Sequence, residues 1–215
     1  MDGRPIAVDL DGTAWDFLRA LQRQPECTPE IARAIDPELC DTWAAPFDLL
    51  GPEVMERARS MEMLREIGFF PGFVEAMERL QEQGFRPVLL SHNSDSVIES
   101  FRILLAETGL DLECLPARPP EKIAWCRAND AAGLIDDAPE TLLLAKGAGI
   151  PAFTFRYLYN AREVDQSEAI WVLPCDGWPA LVEAVELGLR PDLASLETSE
   201  PVSSSPGDCT PDPTD

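Results

Sequence analysis

The spacing of hydrophobic positions along the chain changes near residue 72. A short apolar run at residues 6–8 predicts a buried strand, which leads into the polar sequence DLDGT at residues 9–13. From there to Pro71-Gly72, apolar residues recur at helical spacing and predict helices over residues 15–21, 29–35 and 52–67. We interpret residues 14–72 as a helical insertion that follows the first strand.

Beyond residue 72 the pattern alternates between helix and strand. Helices are predicted over residues 73–83, 96–108, 120–127, 139–146 and 178–189, and strands over residues 87–90, 112–115, 133–135 and 151–155. Strands that alternate with helices form a parallel sheet covered on both faces. We therefore predict an α/β protein with a Rossmann-like, doubly wound parallel sheet. Its core would comprise residues 1–13 and 73–191, with residues 14–72 as a helical cap.

Composition narrows the classes of protein that the chain can belong to. The 215 residues suit one core with a subdomain, and no apolar run approaches the roughly 20 residues of a membrane-spanning helix. The net charge of −22 argues against a nucleic-acid polymer as partner, although it leaves a single nucleotide open. Without a leader-like N-terminal segment, we expect a cytoplasmic protein. Residues 192–215 are rich in Ser, Thr, Pro and acids and predict a disordered acidic tail.

Two carboxylates follow the first predicted strand. Asp9 and Asp11 are two residues apart at the end of the strand, and Gly12 permits a turn that directs both carboxylates toward one ligand. One carboxylate of such a pair can attack a substrate or bind a metal, while the other transfers a proton. A solvated loop rich in Asp and Gly is the alternative interpretation.

Further polar residues follow the other predicted strands. Ser91, His92 and Asn93 come directly after an apolar strand, and Lys122 lies near the start of a helix, where its charge could neutralise a phosphate. Ser and Asn are also common turn residues, and an isolated lysine is usually a surface residue. His92 is the only histidine, which excludes a multi-histidine metal site.

A second acid pair follows the predicted strand at residues 133–135. Asp136 and Asp137 are adjacent, and like charges in contact are unfavourable unless a cation joins them. A divalent metal ion is the simplest explanation for such a pair after a buried strand.

The order acid pair, hydroxyl, lysine, acid pair resembles the haloacid dehalogenase-like superfamily, from residue 6 to about residue 189. The resemblance implies a Mg²⁺-dependent phosphatase in which Asp9 is the nucleophile and Asp11 the general acid and base. Ser91 and Lys122 would hold phosphoryl oxygens, with His92 and Asn93 beside them. Mg²⁺ would be bound by Asp9, by the backbone carbonyl of Asp11, and by Asp137 with Asp136 adjacent.

Within that superfamily, the chain is similar to the 5′(3′)-deoxyribonucleotidase-like group. The likeness lies in DLDG followed by Asp16-Phe17, in LIDD at residues 134–137, and in YNAR at residues 159–162 followed by Gly177-Trp178. It implies a deoxynucleoside or nucleoside monophosphate as substrate. Aromatic side chains of the cap would then contact the base or sugar, and the candidates are Phe17, Trp43 and Phe47.

Two alternatives stay open at this level. One is a magnesium-dependent phosphatase acting on phosphotyrosine or sugar phosphates, although such proteins have a much smaller cap. The other is a protein of the same fold that binds phosphorylated ligands or a partner without turnover. The sequence also leaves the oligomeric state open, a homodimer included.

Overall fold

A computed structural model describes residues 3–42, 44–165, 170–173 and 177–189 of the chain. Within these ranges the secondary structure follows the order β1 Arg4–Val8, α1 Phe17–Gln22, α2 Pro29–Ala34, α3 Ala45–Ala58, α4 Met61–Ile67, α5 Phe73–Glu82, β2 Phe85–Ser91, α6 Asp95–Thr108, β3 Glu113–Pro116, α7 Pro119–Ala128, β4 Leu134–Ile135, α8 Pro139–Gly147, β5 Ala152–Phe155, α9 Ala161–Asp165, β6 Ile170–Leu173 and α10 Trp178–Gly188.

The strands form one parallel sheet in the order β3-β2-β1-β4-β5-β6. Strand β1 lies between β2 and β4, with Val8 opposite Leu89 on one side and Ile135 on the other. The carboxyl ends of these three strands therefore lie side by side. The parallel sheet and the helical insertion after its first strand are confirmed.

Alternate residues of the strands face two different apolar layers. Ile6 and Val8 of β1 join a large cluster that includes α5, α6, α10 and much of the insertion, whereas Ala7 joins a second cluster with α7 and α8. Because both faces are covered, the central strands are almost entirely apolar. Polar side chains are consequently concentrated where the strands end.

The described part of the insertion contains four helices, and their bounds differ from the prediction in several respects. The predicted helix over residues 52–67 is two helices, because Ser60 caps the N-terminus of α4 by accepting a hydrogen bond from the backbone N–H of Met63 at 3.3 Å. Helix α3 also begins earlier than predicted and is kinked at Gly51, where φ is 71° and Pro52 follows.

The two ends of the insertion meet beside the first strand. The backbone N–H of Phe70 donates to the carbonyl of Ala14 at 2.9 Å, and Trp15 forms an isolated bridge with Phe69. Helix α1 starts two residues later than predicted, because the Asp16 side chain caps it by accepting a hydrogen bond from the backbone N–H of Arg19 at 2.9 Å. The insertion therefore leaves and re-enters the core at one point; its predicted bounds, 14–72, stay a prediction.

Two short elements were not predicted from the sequence. Strand β6 extends the sheet by pairing with β5, and helix α9 precedes it.

Two predictions fall outside the described residues, namely the substrate contact of Trp43 and the disordered tail at residues 192–215. In the described part of the chain, no helix combines the length and the apolar character that crossing a bilayer requires.

Phe101 offers a test of the larger apolar cluster. Its ring is fully buried and packs edge-on against Trp15, with ring centroids 5.7 Å apart. Truncation to alanine should lower the free energy of unfolding by about 3–5 kcal/mol because it removes buried area and leaves a cavity. Urea unfolding measures the change. Ile103 on the same helix is 43% exposed, so Ile103→Ala should cost less than about 1 kcal/mol; equal losses would contradict the assigned packing.

Candidate active site

Three neighbouring strand ends and one helix bring the predicted polar residues together. Asp9 follows β1, Ser91 ends β2, Asp136 follows β4, and Lys122 lies in the first turns of α7. All four side chains are buried. In a parallel α/β sheet, the carboxyl ends of the strands are where ligands bind.

Lys122 joins the first acid pair to the second. Its ammonium donates to Oδ1 of Asp9 and to Oδ2 of Asp136, both at 2.6 Å. Burial opposes the charge on Lys122, but the two paired carboxylates keep its pKa above the usual range. The lysine is therefore a fixed positive charge in the base of the site.

Asp9, Asp136 and Asp137 form a group of carboxylates suited to a metal ion. One oxygen from each lies within 4.8 Å of the others, and all three residues are buried. Burial raises the pKa of Asp9 to about 7, although Lys122 lowers it, and repulsion from Asp136 adds to the rise. Burial and the neighbouring carboxylates also raise the pKa of Asp137. The acids thus repel one another despite the lysine.

The charge balance of the site fits a divalent cation. Six charged groups lie in this part of the structure, and the four carboxylates outnumber the two cations by two. The carboxylates are Asp9, Asp11, Asp136 and Asp137, and the cations are Lys122 and Arg59. Carboxylate oxygens are the ligands that Mg²⁺ prefers. The donor set therefore fits Mg²⁺, with Asp9, Asp136 and Asp137 as the residues placed to hold it.

Asp137 is held from two directions. Oδ1 accepts a hydrogen bond from the Thr13 hydroxyl at 3.1 Å, and Oδ2 accepts one from the Tyr159 hydroxyl at 2.6 Å. Gly12 has a φ of 77°, and a Cβ at this position would lie 2.3 Å from Oδ2 of Asp137. A side chain at position 12 would therefore collide with the acid pair, which explains why the turn requires glycine.

Asp11 faces the cap. Oδ2 accepts from Nε and Nη2 of Arg59, at 2.8 and 2.6 Å, and from the Asn93 amide at 3.2 Å. Arg59 follows helix α3 of the insertion, and its guanidinium lies 3.8 Å from the centroid of the Phe17 ring. The other oxygen of Asp11, Oδ1, is buried and has no partner among the described residues.

A cavity of about 410 Å³ opens above these groups. The loop after β2 contributes Ser91, His92 and Asn93 to its wall, and the Ser91 hydroxyl accepts from the Asn93 amide at 2.7 Å. Asp9, Asp11 and Lys122 also line the cavity. The structure thus brings the predicted catalytic and phosphate-binding residues to one space, where their roles stay predictions.

The predicted cap aromatics lie in different environments. Phe47 is 43% exposed and lines the cavity. Phe17 is buried in the apolar cluster, does not line the cavity and supports Arg59 from beneath. A direct substrate contact by either residue stays a prediction.

Three residues of the site were not assigned a role from the sequence, namely Arg59, Tyr159 and Asn160. Arg59 lies in a helical stretch without a recognisable motif, so its sequence position carries no signal. Tyr159 and Asn160 follow β5, and this position after the carboxyl end of a strand is the signal that could have identified them as site residues. Asn160 donates to the backbone carbonyl of Asp137 at 3.0 Å.

Comparison with known proteins supports the fold. Neither models of protein families nor curated protein sequences match the chain. Among solved structures, a predicted phosphoglycolate phosphatase from Haemophilus somnus is similar, with a TM-score of 0.55, 14% identity, and coverage of 87% of this chain and 99% of that one. A haloacid dehalogenase-like hydrolase from Streptococcus pneumoniae has a TM-score of 0.50 and 15% identity, with 80% and 94% covered.

A third similar structure contains ligands. The D,D-heptose 1,7-bisphosphate phosphatase from B. bronchiseptica, complexed with magnesium and phosphate, has a TM-score of 0.50, 15% identity, and coverage of 86% of this chain and 99% of that one. The described chain is thus an α/β protein with a buried aspartate cluster at the strand ends. More specifically, it has the fold of the haloacid dehalogenase-like hydrolases.

The raised pKa of Asp9 predicts a pH-dependent stability in the absence of divalent metal. The ordinary pKa of an aspartate is 3.8, and the pKa of Asp9 in the folded protein is about 7. Between these two pH values the folded state therefore binds more protons than the unfolded state. The free energy of unfolding contributed by this group therefore falls as pH rises through that window. The amide that Asp9→Asn introduces does not titrate, so this variant lacks the pH-dependent contribution. In EDTA, urea unfolding should show this variant gaining stability relative to wild type as pH rises; a constant difference would contradict the assignment.

Proposed function

We propose that the protein is a Mg²⁺-dependent phosphomonoesterase that hydrolyses a small phosphate ester through an aspartyl-phosphate intermediate. The observation that carries the proposal is the contact between Lys122, Asp9 and Asp136, with Asp11 on the wall of the same cavity. In this proposal Asp9 is the nucleophile, Lys122 the fixed cation and Asp11 the proton-transfer group, and all three line the same cavity. The magnesium and phosphate in the B. bronchiseptica phosphatase structure support the choice of metal and substrate type.

Asp9 is the proposed nucleophile. Lys122 contacts its Oδ1, so Oδ2 is the oxygen left to attack phosphorus. As the new P–O bond forms, the bond between phosphorus and the leaving oxygen breaks, and Asp11 gives its proton to that oxygen. Arg59 and Asn93 donate to Oδ2 of Asp11, whereas Oδ1 has no partner among the described residues, so we assign this proton to Oδ1.

Hydrolysis of the intermediate reverses these roles. A water molecule attacks phosphorus, Asp11 accepts its proton, and Asp9 leaves as a carboxylate. Lys122 and Ser91 hold phosphoryl oxygens through both steps. Bound Mg²⁺, held by Asp9, Asp136 and Asp137, would neutralise the charge that develops on the transferring group.

For the substrate we propose a deoxynucleoside or nucleoside monophosphate. A volume of about 410 Å³ accommodates a small ligand, and Phe47 lies on the wall, where an aromatic face can stack on a base. The acidic surface favours small metal-neutralised phosphates over polymeric nucleic acid. Sugar phosphates and phosphotyrosine are the alternative substrates, and we expect the reaction to occur in the cytoplasm.

Phosphate release tests the proposed chemistry. The purified protein is assayed with nucleoside monophosphates, sugar phosphates and phosphotyrosine, with and without Mg²⁺. Asp9→Asn should lower kcat by about 10⁴-fold or more because the amide cannot form the intermediate. The exposed Asp111 provides a matched change, and Asp111→Asn should retain activity.

The outcomes separate mechanism from substrate. Mg²⁺-dependent release from deoxynucleotides supports the full proposal, whereas release from other esters supports the chemistry and rejects the nucleotide substrate. Near-normal activity of Asp9→Asn would refute Asp9 as nucleophile. Silence across the panel would favour a binding protein of the same fold.

Arg59 gives a second test, directed at the contact between cap and core. Arg59→Met removes two donors from Oδ2 of Asp11 and leaves that carboxylate free to move. We expect kcat/KM to fall roughly 10- to 100-fold, since a small misplacement of a reacting group has an effect of this size. Steady-state kinetics with the best substrate measures it. Arg57 lies on α3, two residues before Arg59, and forms a surface ion pair with Glu26. Arg57→Met should therefore change kcat/KM little, and equal losses in the two variants would refute the specific role of Arg59.

A further inference from the structure

The segment at residues 157–160, directly after β5, contacts both halves of the aspartate site. Tyr157 donates its hydroxyl to the carbonyl of Gly12 at 2.9 Å, and Tyr159 donates its hydroxyl to Oδ2 of Asp137 at 2.6 Å. The two rings are stacked, with centroids 5.0 Å apart. One short segment therefore holds the loop after β1 and the acid pair after β4.

Asn160 fixes the position of this segment. Its amide nitrogen donates to the carbonyls of Asp137 and Phe155, both at 3.0 Å, and its Oδ1 accepts from the backbone N–H of Tyr157 at 2.9 Å. Asn160 is fully buried. Because a buried amide with all these partners has little freedom, the turn that carries Tyr159 is rigid.

Tyr159 is itself buried, with 6% of its surface exposed. A buried hydroxyl costs free energy unless it is hydrogen-bonded, and its partner here is a carboxylate of the metal-ligand group. Together with Thr13, which donates to Oδ1, Tyr159 leaves Asp137 with both oxygens oriented by the protein. Each of these oxygens retains a lone pair for a cation.

We propose that Tyr159 is a positioning residue for the divalent-metal site and acts through its hydrogen bond to Asp137. This inference rests on the metal site of the proposed function but requires no turnover. Partners that orient metal-binding carboxylates raise the affinity for the metal by fixing the ligand before the ion arrives. The hydroxyl of Tyr159, and not its ring, supplies this effect.

Metal binding by the full chain tests the proposal directly. The free Mn²⁺ signal in electron paramagnetic resonance titrations gives a dissociation constant for wild type, Tyr159→Phe and Tyr157→Phe. The Tyr159→Phe variant keeps the ring and loses the hydroxyl, so its dissociation constant should rise about 10- to 100-fold. Tyr157→Phe keeps every contact of Asp137 and should shift the constant less than about threefold. Circular dichroism and thermal melting establish that each variant is folded.

The possible results are distinct. Wild-type Mn²⁺ affinity in folded Tyr159→Phe would overturn the inference, and so would an equal loss in both variants, which would indicate a structural role for the whole segment. If wild type releases phosphate while Tyr159→Phe binds Mn²⁺ normally, this inference alone fails. A third result would refute only the proposed phosphatase function. In that case wild type binds Mn²⁺ and Tyr159→Phe binds it weakly, but wild type releases no phosphate. A wild type that binds no Mn²⁺ would overturn both.

Discussion

The buried contact of Lys122 with Asp9 and Asp136 is the interaction on which the site depends. It joins helix α7 to the ends of two neighbouring strands, with both distances at 2.6 Å. Removing one partner from a buried charge group typically costs about 3–5 kcal/mol, because the remaining charge loses its compensation. Many combinations of apolar residues could form the faces of the sheet, whereas this contact requires a lysine at position 122 and aspartates at positions 9 and 136. The position of Asp9, the proposed nucleophile, and the relative position of β1 and β4 are therefore fixed by the same contact.

The cap is connected to this centre by a second charged contact. Arg59 reaches Asp11 from the insertion, while Phe17 supports the guanidinium from below. Because the insertion leaves and re-enters the core beside Ala14, its point of attachment lies a few residues from Asp9 and Asp11. The insertion and the loop after β1 are thus joined twice, by the continuous chain at Ala14 and by the ion pair between Arg59 and Asp11. Phe17, which the sequence predicted to contact the substrate, therefore packs against Arg59 and helps to position its guanidinium.

The sequence predicted the features that have a local signature. A change of hydrophobic period marked the insertion, and acid or hydroxyl residues at strand ends marked the groups that the sheet brings together. Arg59 has no such signature, because an arginine at the end of a helix is usually a solvated surface residue. The break at Ser60 depends on a capping hydrogen bond that competes with continuation of the helix. The role of Tyr159 depends on the distance between residues 22 positions apart, which periodicity does not encode.

A chain with a net charge of −22 can hold a phosphate because the potential at a site is set by near neighbours. Distant surface carboxylates are screened over about 8 Å at physiological salt, whereas Lys122 and Arg59 are largely removed from water and lie on the cavity itself. Arg118 adds a third cation at the cavity wall. The four aspartates would repel a phosphate, because Lys122 and Arg59 offset only two of their charges. A divalent ion would cancel the remaining two negative charges, so that the site no longer repels an anion. Metal binding and phosphate binding in this site are therefore expected to be mutually dependent.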